Sequence, residues 1–345
     1  MSNIDYREII AEPITGRFAR GWHCLGLSTD FDQGIKPFNA FDKRFVVYRN
    51  SEGKAVVLDA YCPHMGADLS LGKIDGDGIR CAFHEWRWGD DGRCDDIPYA
   101  DIIPKAACIK SWSTMEENGL LFVWHDTENL APIAEQAIPK IPEVFSDAWS
   151  DWHLDQMTIN TNCRELIDNM ADAAHFASVH GSPVKQFTNI VDGHIFTQRL
   201  LSESERLAEG SEVYSEANYY GPAYMTTHMT GDLDGIPIES RLLVSHLPIN
   251  HDSFELLFGV LVKRIDSLSE QQNDDMVAEY VNLAREAFYE DVEIWHTKVR
   301  VDNPLLCHRD GPVNVLRKWY QQFYQNRESI TPESFPYKEY PLTLK

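Results

Sequence analysis

Short apolar, β-branched runs separated by turn sequences dominate the first third of the chain. Two of them, RFVVYRN and KAVVLDAYC, are joined by the turn sequence NSEGK, which predicts a β-hairpin. Another tight turn is predicted at Asp-Asp-Gly in WRWGDDGRC, and a further hairpin around Glu-Asn-Gly in IKSWSTMEENGLLFVWHD. The pattern therefore predicts a small all-β unit over residues 16–127.

The pattern changes after a connector that contains Pro132, Pro139 and Pro142. A strand-like stretch, WHLDQMTINTNC, precedes RELIDNMADAAHFASVH, whose apolar residues have helical spacing. Strand patterns alternate over 190–263, and helices are predicted over 268–298 and 312–326. The pattern thus predicts a second unit of mixed helices and strands over 128–345.

Composition narrows the class of protein and its partners. The chain has 345 residues and a formal charge of −23, which disfavours nucleic acid and anionic membrane surfaces as partners. No run approaches eighteen apolar residues, and the polar start MSNIDYREIIAEP lacks an apolar signal core. Seven scattered cysteines argue against a disulfide scaffold. We therefore expect a soluble, cytoplasmic protein without a membrane span.

Four residues in the all-β unit form a candidate metal site. Cys62 and His64 make a Cys-x-His pair, and after sixteen residues Cys81 and His84 make a Cys-x-x-His pair. Two thiolates and two imidazoles also suit tetrahedral zinc, but zinc knuckles usually pair like ligands. Mixed pairs from two glycine-containing loops favour a Rieske [2Fe–2S] centre, in which two His replace two Cys on one iron. Such a centre transfers electrons one at a time.

A second candidate metal site lies in the helical stretch of the second unit. His175 and His180 are five residues apart, hence roughly 140° apart on an ideal helix. They can share a metal only if the helix bulges or ends between them, and Gly181, Ser182 and Pro183 fit such an end.

The carboxylate nearest to these histidines in the sequence is Asp172. It precedes His175 by three residues, which suits a role in orienting a ligand imidazole better than direct metal binding. Two His and one carboxylate hold the iron of non-haem Fe(II) oxygenases. Spacing alone leaves the third ligand unidentified.

Several long stretches resemble one family. They are GWHCLGLSTDF, CPHMGADLSLG, CAFHEWRWGDDGRC, NCRELIDNMADAAHF, DVEIWHTKVRVDNPLL and RKWYQQFY. Over nearly its whole length the chain resembles the oxygenase components of Rieske non-haem iron oxygenases, and more specifically those of 3-ketosteroid 9α-hydroxylases.

The resemblance implies roles for individual residues. Cys62, His64, Cys81 and His84 match the ligands of the [2Fe–2S] cluster. The ligands of a mononuclear Fe(II) match three residues: His175, His180 and Asp291. Two further matches are Asp172, which bridges from a cluster His of a neighbouring subunit to an iron ligand, and Asn169, a polar residue near the iron.

The resemblance also implies a fold, an assembly and partners. The fold class is α+β: an all-β Rieske domain beside a helix-grip (START-like) catalytic domain with an antiparallel sheet, on which residues 1–15 are expected to pack. The family assembles as head-to-tail homotrimers. An NADH-dependent flavin/iron–sulfur reductase supplies electrons, and the implied substrates are O2 and an apolar, polycyclic 3-ketosteroid, hydroxylated at its 9α position.

Other readings of the same residues stay open. Small residues around the second histidine, Ala177, Ser178 and Gly181, depart from the bulkier family pattern in a segment that lines its substrate cavity. The same apparatus could therefore desaturate a sterol, remove an O-methyl group or hydroxylate a smaller terpenoid or aromatic acid. A Rieske electron carrier without catalysis is disfavoured by the roughly 200 residues beyond the β unit.

Overall fold

The computed structural model describes residues 16–204, 211–233 and 236–343. The expected packing of residues 1–15 on the catalytic domain falls outside these described residues. Within them, no helix combines the length and the apolar character that a membrane crossing requires.

The first part of the described chain forms three small antiparallel sheets. Their strand orders are β1-β11-β10, β2-β3-β4-β9 and β5-β6-β7-β8. The three predicted turns are confirmed, since β3 pairs with β4, β7 with β8, and β10 with β11. The strands are β1 (Gly21–Leu27), β2 (Lys36–Ala40), β3 (Lys43–Arg49), β4 (Ala55–Asp59), β5 (Lys73–Asp75), β6 (Gly78–Arg80), β7 (Arg87–Trp88), β8 (Cys94–Asp96), β9 (Ser111–Trp112), β10 (Thr114–Glu117) and β11 (Leu120–His125).

The second part is built on one eight-stranded antiparallel sheet of order β12-β18-β17-β16-β15-β14-β13-β19. No strand is assigned between β11 and β12, where the proposed domain boundary at 127/128 falls. The strands are β12 (His153–Ile159), β13 (Val184–Asp192), β14 (Ile195–Glu203), β15 (Glu212–Tyr220), β16 (Tyr224–Leu233), β17 (Ile236–Pro248), β18 (Phe254–Val262) and β19 (Lys338–Pro341). The helices are α1 (Arg164–Ile167), α2 (His175–Ser178), α3 (Glu270–Thr297) and α4 (Val313–Tyr320).

The eight-stranded sheet separates two packed layers. Leu243 of β17 packs against Trp22 and Phe122 from the first part of the chain. Its neighbour Val244 belongs instead to the core that contains the buried face of α3. Because successive strand residues point to opposite faces, the sheet carries the small sheets on one side and the long helix on the other. This arrangement is the α+β fold with a helix over an antiparallel sheet that the family resemblance implies.

Two elements differ from the sequence prediction. The stretch 164–180 is not one helix: α1 passes into a 3-10 turn over Asp168–Met170, and α2 starts only at His175. The expected helix end before Gly181 is present, since α2 stops at Ser178. The earlier break at 168–174 was not predicted, because apolar spacing does not report the contacts that break the helix there. The edge strand β19 was not predicted, since its four residues are largely exposed and gain their strand character by pairing with β13.

Buried ion pairs connect the broken helical stretch to the end of α3. Glu165 is 0% exposed and lies 2.9 Å from Lys298 Nζ and 3.3 Å from Arg300 Nη1. Asp168 accepts two hydrogen bonds from Arg317 of α4, at 3.0 and 2.6 Å. Each buried carboxylate has a cationic partner, as burial of charge requires. The network therefore ties together α1, α4 and the residues that follow α3.

Three buried histidines lie where the first part of the chain meets the large sheet. Burial lowers the pKa of His23 to about 4 and those of His125 and His246 to about 3. Each Nδ1 lacks a hydrogen-bond partner among the described residues. The folded protein consequently holds all three imidazoles neutral.

These histidines predict a loss of stability in acid. Below pH 6.5 they gain protons in the unfolded chain but not in the folded one, so the free energy of unfolding falls as the pH drops from about 6.5 to about 4. Each contributes about 1.4 kcal/mol per pH unit within that window. Urea unfolding at successive pH values should show this slope. His23→Phe should reduce the slope by the contribution of one histidine, about 1.4 kcal/mol per pH unit.

Carboxylates also titrate in acid, so the comparison needs a matched variant. His308→Phe, at an exposed position, should leave the pH slope of the parent protein intact. An equal change of slope in both variants, or no change in His23→Phe, would contradict the role given to the buried histidines.

Candidate active site: two metal centres and a cavity

The two loops that carry the Cys/His quartet have the same backbone hydrogen bonds. Cys62 N–H donates to Ala67 O at 2.9 Å, and Cys81 N–H donates to Trp86 O at 3.0 Å. Each cysteine carbonyl in turn accepts a bond from the residue four positions on, Gly66 at 2.8 Å and Glu85 at 3.0 Å. Both of these residues have positive φ, +78° and +59°. The tight fold of the second loop therefore forces a non-glycine residue into the left-handed region.

The side chains of the quartet converge. Cys62 and Cys81 are buried, whereas the rings of His64 and His84 are half-buried with centroids 4.6 Å apart. His64 also stacks on Trp86, with 4.5 Å between ring centroids. Two enclosed thiols and two outward imidazoles fit a [2Fe–2S] cluster whose histidine-bound iron faces the surface.

The second candidate metal site is a trio of side chains from separate parts of the chain. One ligand atom from each of His175, His180 and Asp291 lies within 4.8 Å of the other two. His180 Nε2 is 3.3 Å from Asp291 Oδ2, and the two imidazole centroids are 5.3 Å apart. Two imidazoles and one carboxylate on one side of a common point fit a mononuclear Fe(II).

The end of α2 brings the two histidines to one side. The helix stops at Ser178, so His180 follows it in a turn that ends at Gly181 with φ +61°. Upstream, Ala173 N–H donates to Asp310 O at 2.8 Å. A Cβ on Gly311 would lie 2.0 Å from Ala171 O, so only glycine permits this close approach.

Hydrogen bonds orient His175 for metal binding. Its Nδ1 donates to the Asp172 carbonyl oxygen at 2.7 Å, which leaves Nε2 for the metal. The Asp172 carboxylate accepts from Ala174 N–H at 3.0 Å. Burial acts to raise the pKa of Asp172, but hydrogen bonds from His175 and Ala174 outweigh it and lower the pKa. The sequence suggested that the Asp172 carboxylate orients His175, but the main-chain carbonyl of Asp172 makes the shorter contact with His175 Nδ1.

His180 has a carboxylate on each side. Its Nδ1 donates to Glu290 Oε2 at 3.2 Å, while Nε2 faces Asp291. Burial acts to lower the pKa of His180, but the two carboxylates outweigh it and raise the pKa. Metal binding there requires displacement of a proton. Glu290 was missed because sequence alone does not tell which of two adjacent carboxylates joins the trio and which contacts His180 Nδ1.

The trio opens on a cavity of about 260 Å³ between α3 and the sheet. Apolar side chains from both elements make most of the wall, including Leu200, Phe258, Leu283 and Phe288. Asn169 also lines it. On β16 every second residue from Met225 to Met229 reaches the cavity, namely Met225, Thr227 and Met229. An apolar ligand of matching size would be largely removed from water there.

Two family models match the chain, and together they cover most of it. The Rieske [2Fe-2S] domain matches residues 21–110. The 3-Ketosteroid 9alpha-hydroxylase C-terminal domain matches residues 123–324. The first match covers the quartet and the second covers the trio and the cavity.

Similar proteins of known name support both family matches. An oxygenase component of 3-ketosteroid-9-alpha-monooxygenase from Rhodococcus rhodochrous is 46% identical over 94% of this chain and 87% of its own. Its namesake from Mycobacterium tuberculosis is 42% identical over 96% and 88%. A cholesterol 7-desaturase from Hemicentrotus pulcherrimus is 29% identical over 89% and 70%.

A solved structure supports the fold independently. Dicamba monooxygenase with non-heme iron and dicamba has a TM-score of 0.65 and 18% identity, with 90% of this chain and 99% of that chain covered. The quartet, the trio and the relatives point the same way: this chain belongs to the family of Rieske oxygenases that carry the 3-ketosteroid 9alpha-hydroxylase C-terminal domain.

Proposed function

We propose that this chain is the terminal oxygenase component of a monooxygenase that hydroxylates a 3-ketosteroid at its 9α position. The observation that carries the proposal is the trio of His175, His180 and Asp291 at the wall of a largely apolar cavity. The relatives' name supplies the substrate class and the position of attack. An oxygenase component needs a separate electron donor, for which we propose an NADH-dependent flavin/iron–sulfur reductase.

Different residues would hold the two metal centres. Cys62, Cys81, His64 and His84 would hold the cluster, and the trio would hold Fe(II). When bound, the cluster supplies single electrons and the iron activates O2. The protein's own part is to fix the imidazole tautomers through the Asp172 carbonyl and Glu290, and to enclose the substrate away from water.

We further propose a head-to-tail homotrimer in which Asp172 bridges two chains. Its carboxylate is ionised, 38% exposed and three residues before His175, so a cluster histidine of a neighbouring chain can donate to it. Exposed apolar side chains adjoin the cluster histidines and follow Asp291 along the chain. Met65 and Phe83 adjoin the cluster histidines and are 65% and 59% exposed. Three more follow Asp291 along the chain: Ile294, Val299 and Leu305.

The proposed reaction predicts a labelled product. With a compatible reductase, NADH, ¹⁸O2 and a panel of 3-ketosteroids, the protein should add one labelled oxygen atom to at least one steroid, as mass spectrometry would detect. The product should carry the hydroxyl at the 9α position.

Two outcomes would contradict this assignment. No product from any 3-ketosteroid, while the reductase still reduces the cluster, would exclude the proposed substrate class. Loss of two hydrogens without oxygen gain would favour desaturation, the second candidate, which the cholesterol 7-desaturase relative supports.

The bridge predicts a separate effect of Asp172→Asn. The neutral amide still accepts from Ala174 N–H but loses the charge that pairs with a donor imidazole, so both metals should stay bound. Oxidation of the reduced cluster by O2 and substrate should slow by about 100-fold, as stopped-flow absorbance would measure. Asp275→Asn, at an exposed position of α3, is the matched control. Rapid cluster oxidation in Asp172→Asn would argue against the bridge.

A further inference from the structure

Two amide side chains lie opposite each other on the neighbouring strands β13 and β14. Asn189 of β13 and Gln198 of β14 are directly paired in the sheet register. Both donate to the same acceptor, the Met170 carbonyl, at 2.7 Å from Asn189 Nδ2 and 3.0 Å from Gln198 Nε2. They thereby fix the turn that leads to His175.

These bonds determine which way the Gln198 amide points. Its Nε2 also approaches the Asn169 carbonyl oxygen at 3.3 Å, so two carbonyl acceptors face this nitrogen. Since carbonyls cannot donate, a flipped amide would place oxygen against oxygen. Gln198 Oε1 is therefore a fixed acceptor, and no described residue donates a hydrogen bond to it.

Only one of the two amide side chains lines the cavity. Gln198 lines the cavity. Asn189 is 0% exposed and is absent from the lining. The cavity's other polar groups include the hydroxyls of Ser202, Ser215 and Thr227, which can rotate to donate or accept. Gln198 differs from them because its free atom can only accept.

We infer that Gln198 Oε1 accepts a hydrogen bond from a hydroxyl group of the ligand, so that the cavity selects hydroxysteroids over steroids with a ketone at that position. A ketone there would set two acceptors against each other and leave both unpaired in an apolar enclosure. The 3-ketone of the ligand instead accepts hydrogen bonds from the rotatable hydroxyls. This inference rests on the proposed function, because it presumes that a steroid occupies the cavity.

Equilibrium binding tests it without turnover. Steroid pairs that differ only in a hydroxyl or a ketone, at C17 or at C20, are titrated into the full-length protein by calorimetry. For at least one pair the hydroxyl member should bind about tenfold more tightly. Gln198→Met keeps the side-chain length but removes the acceptor, and should abolish that preference.

Asn189→Leu is the matched control, because it removes the other bond to the Met170 carbonyl without altering the cavity wall. It should keep the hydroxyl preference. Equal affinities within every pair, or a preference that survives in Gln198→Met, would overturn the inference while leaving the proposed function intact. A preference lost in both variants would assign it to the Met170 turn and also overturn the inference. Absence of any steroid binding would overturn the proposed function itself.

Discussion

The whole site depends on one interruption of a helix. On a continuous helix, His175 and His180 would project roughly 140° apart and could not share an ion. Because α2 stops at Ser178, both imidazoles turn toward Asp291 of α3. The helix end itself is local: Ser182 N–H donates to Phe176 O at 2.8 Å, and Gly181 has a φ of +61°. Distant residues, the Asp310 carbonyl and Gly311, instead hold the turn that precedes His175. The candidate iron site thus needs both a local helix end and tertiary contacts that place α2.

The eight-stranded sheet and the buried ion pairs give this arrangement its rigidity. The sheet carries α3 and the cavity on one face and the small sheets on the other. Glu165 and Asp168 bind cations from the end of α3 and from α4, so the segment with the histidines and the helix with the carboxylate are held together. The quartet therefore belongs to the small-sheet part of the chain, whereas the cavity lies on the helix side of the large sheet.

Local chemistry explains what the sequence predicted well. The hairpin around Asn118 and Gly119, the long helix and the Cys/His quartet are each encoded within a few residues. Asp291 was identified only through family resemblance, because no spacing connects it to His180. Glu290 and β19 were missed because their partners are more than a hundred residues away. Gln198 was missed because its acceptors lie in a turn 28 and 29 residues earlier. The helix end between His175 and His180 was predicted, but the earlier break at 168–174 was not, because apolar periodicity does not report such long-range contacts.

Metal analysis tests the central claim, that His175, His180 and Asp291 hold one iron separate from the cluster. The purified protein should contain about three irons and about two acid-labile sulfides per chain. His175→Ala should lower the iron to about two while the visible absorption of the Rieske cluster is unchanged. Three irons in that variant, or loss of the Rieske absorption, would contradict the account.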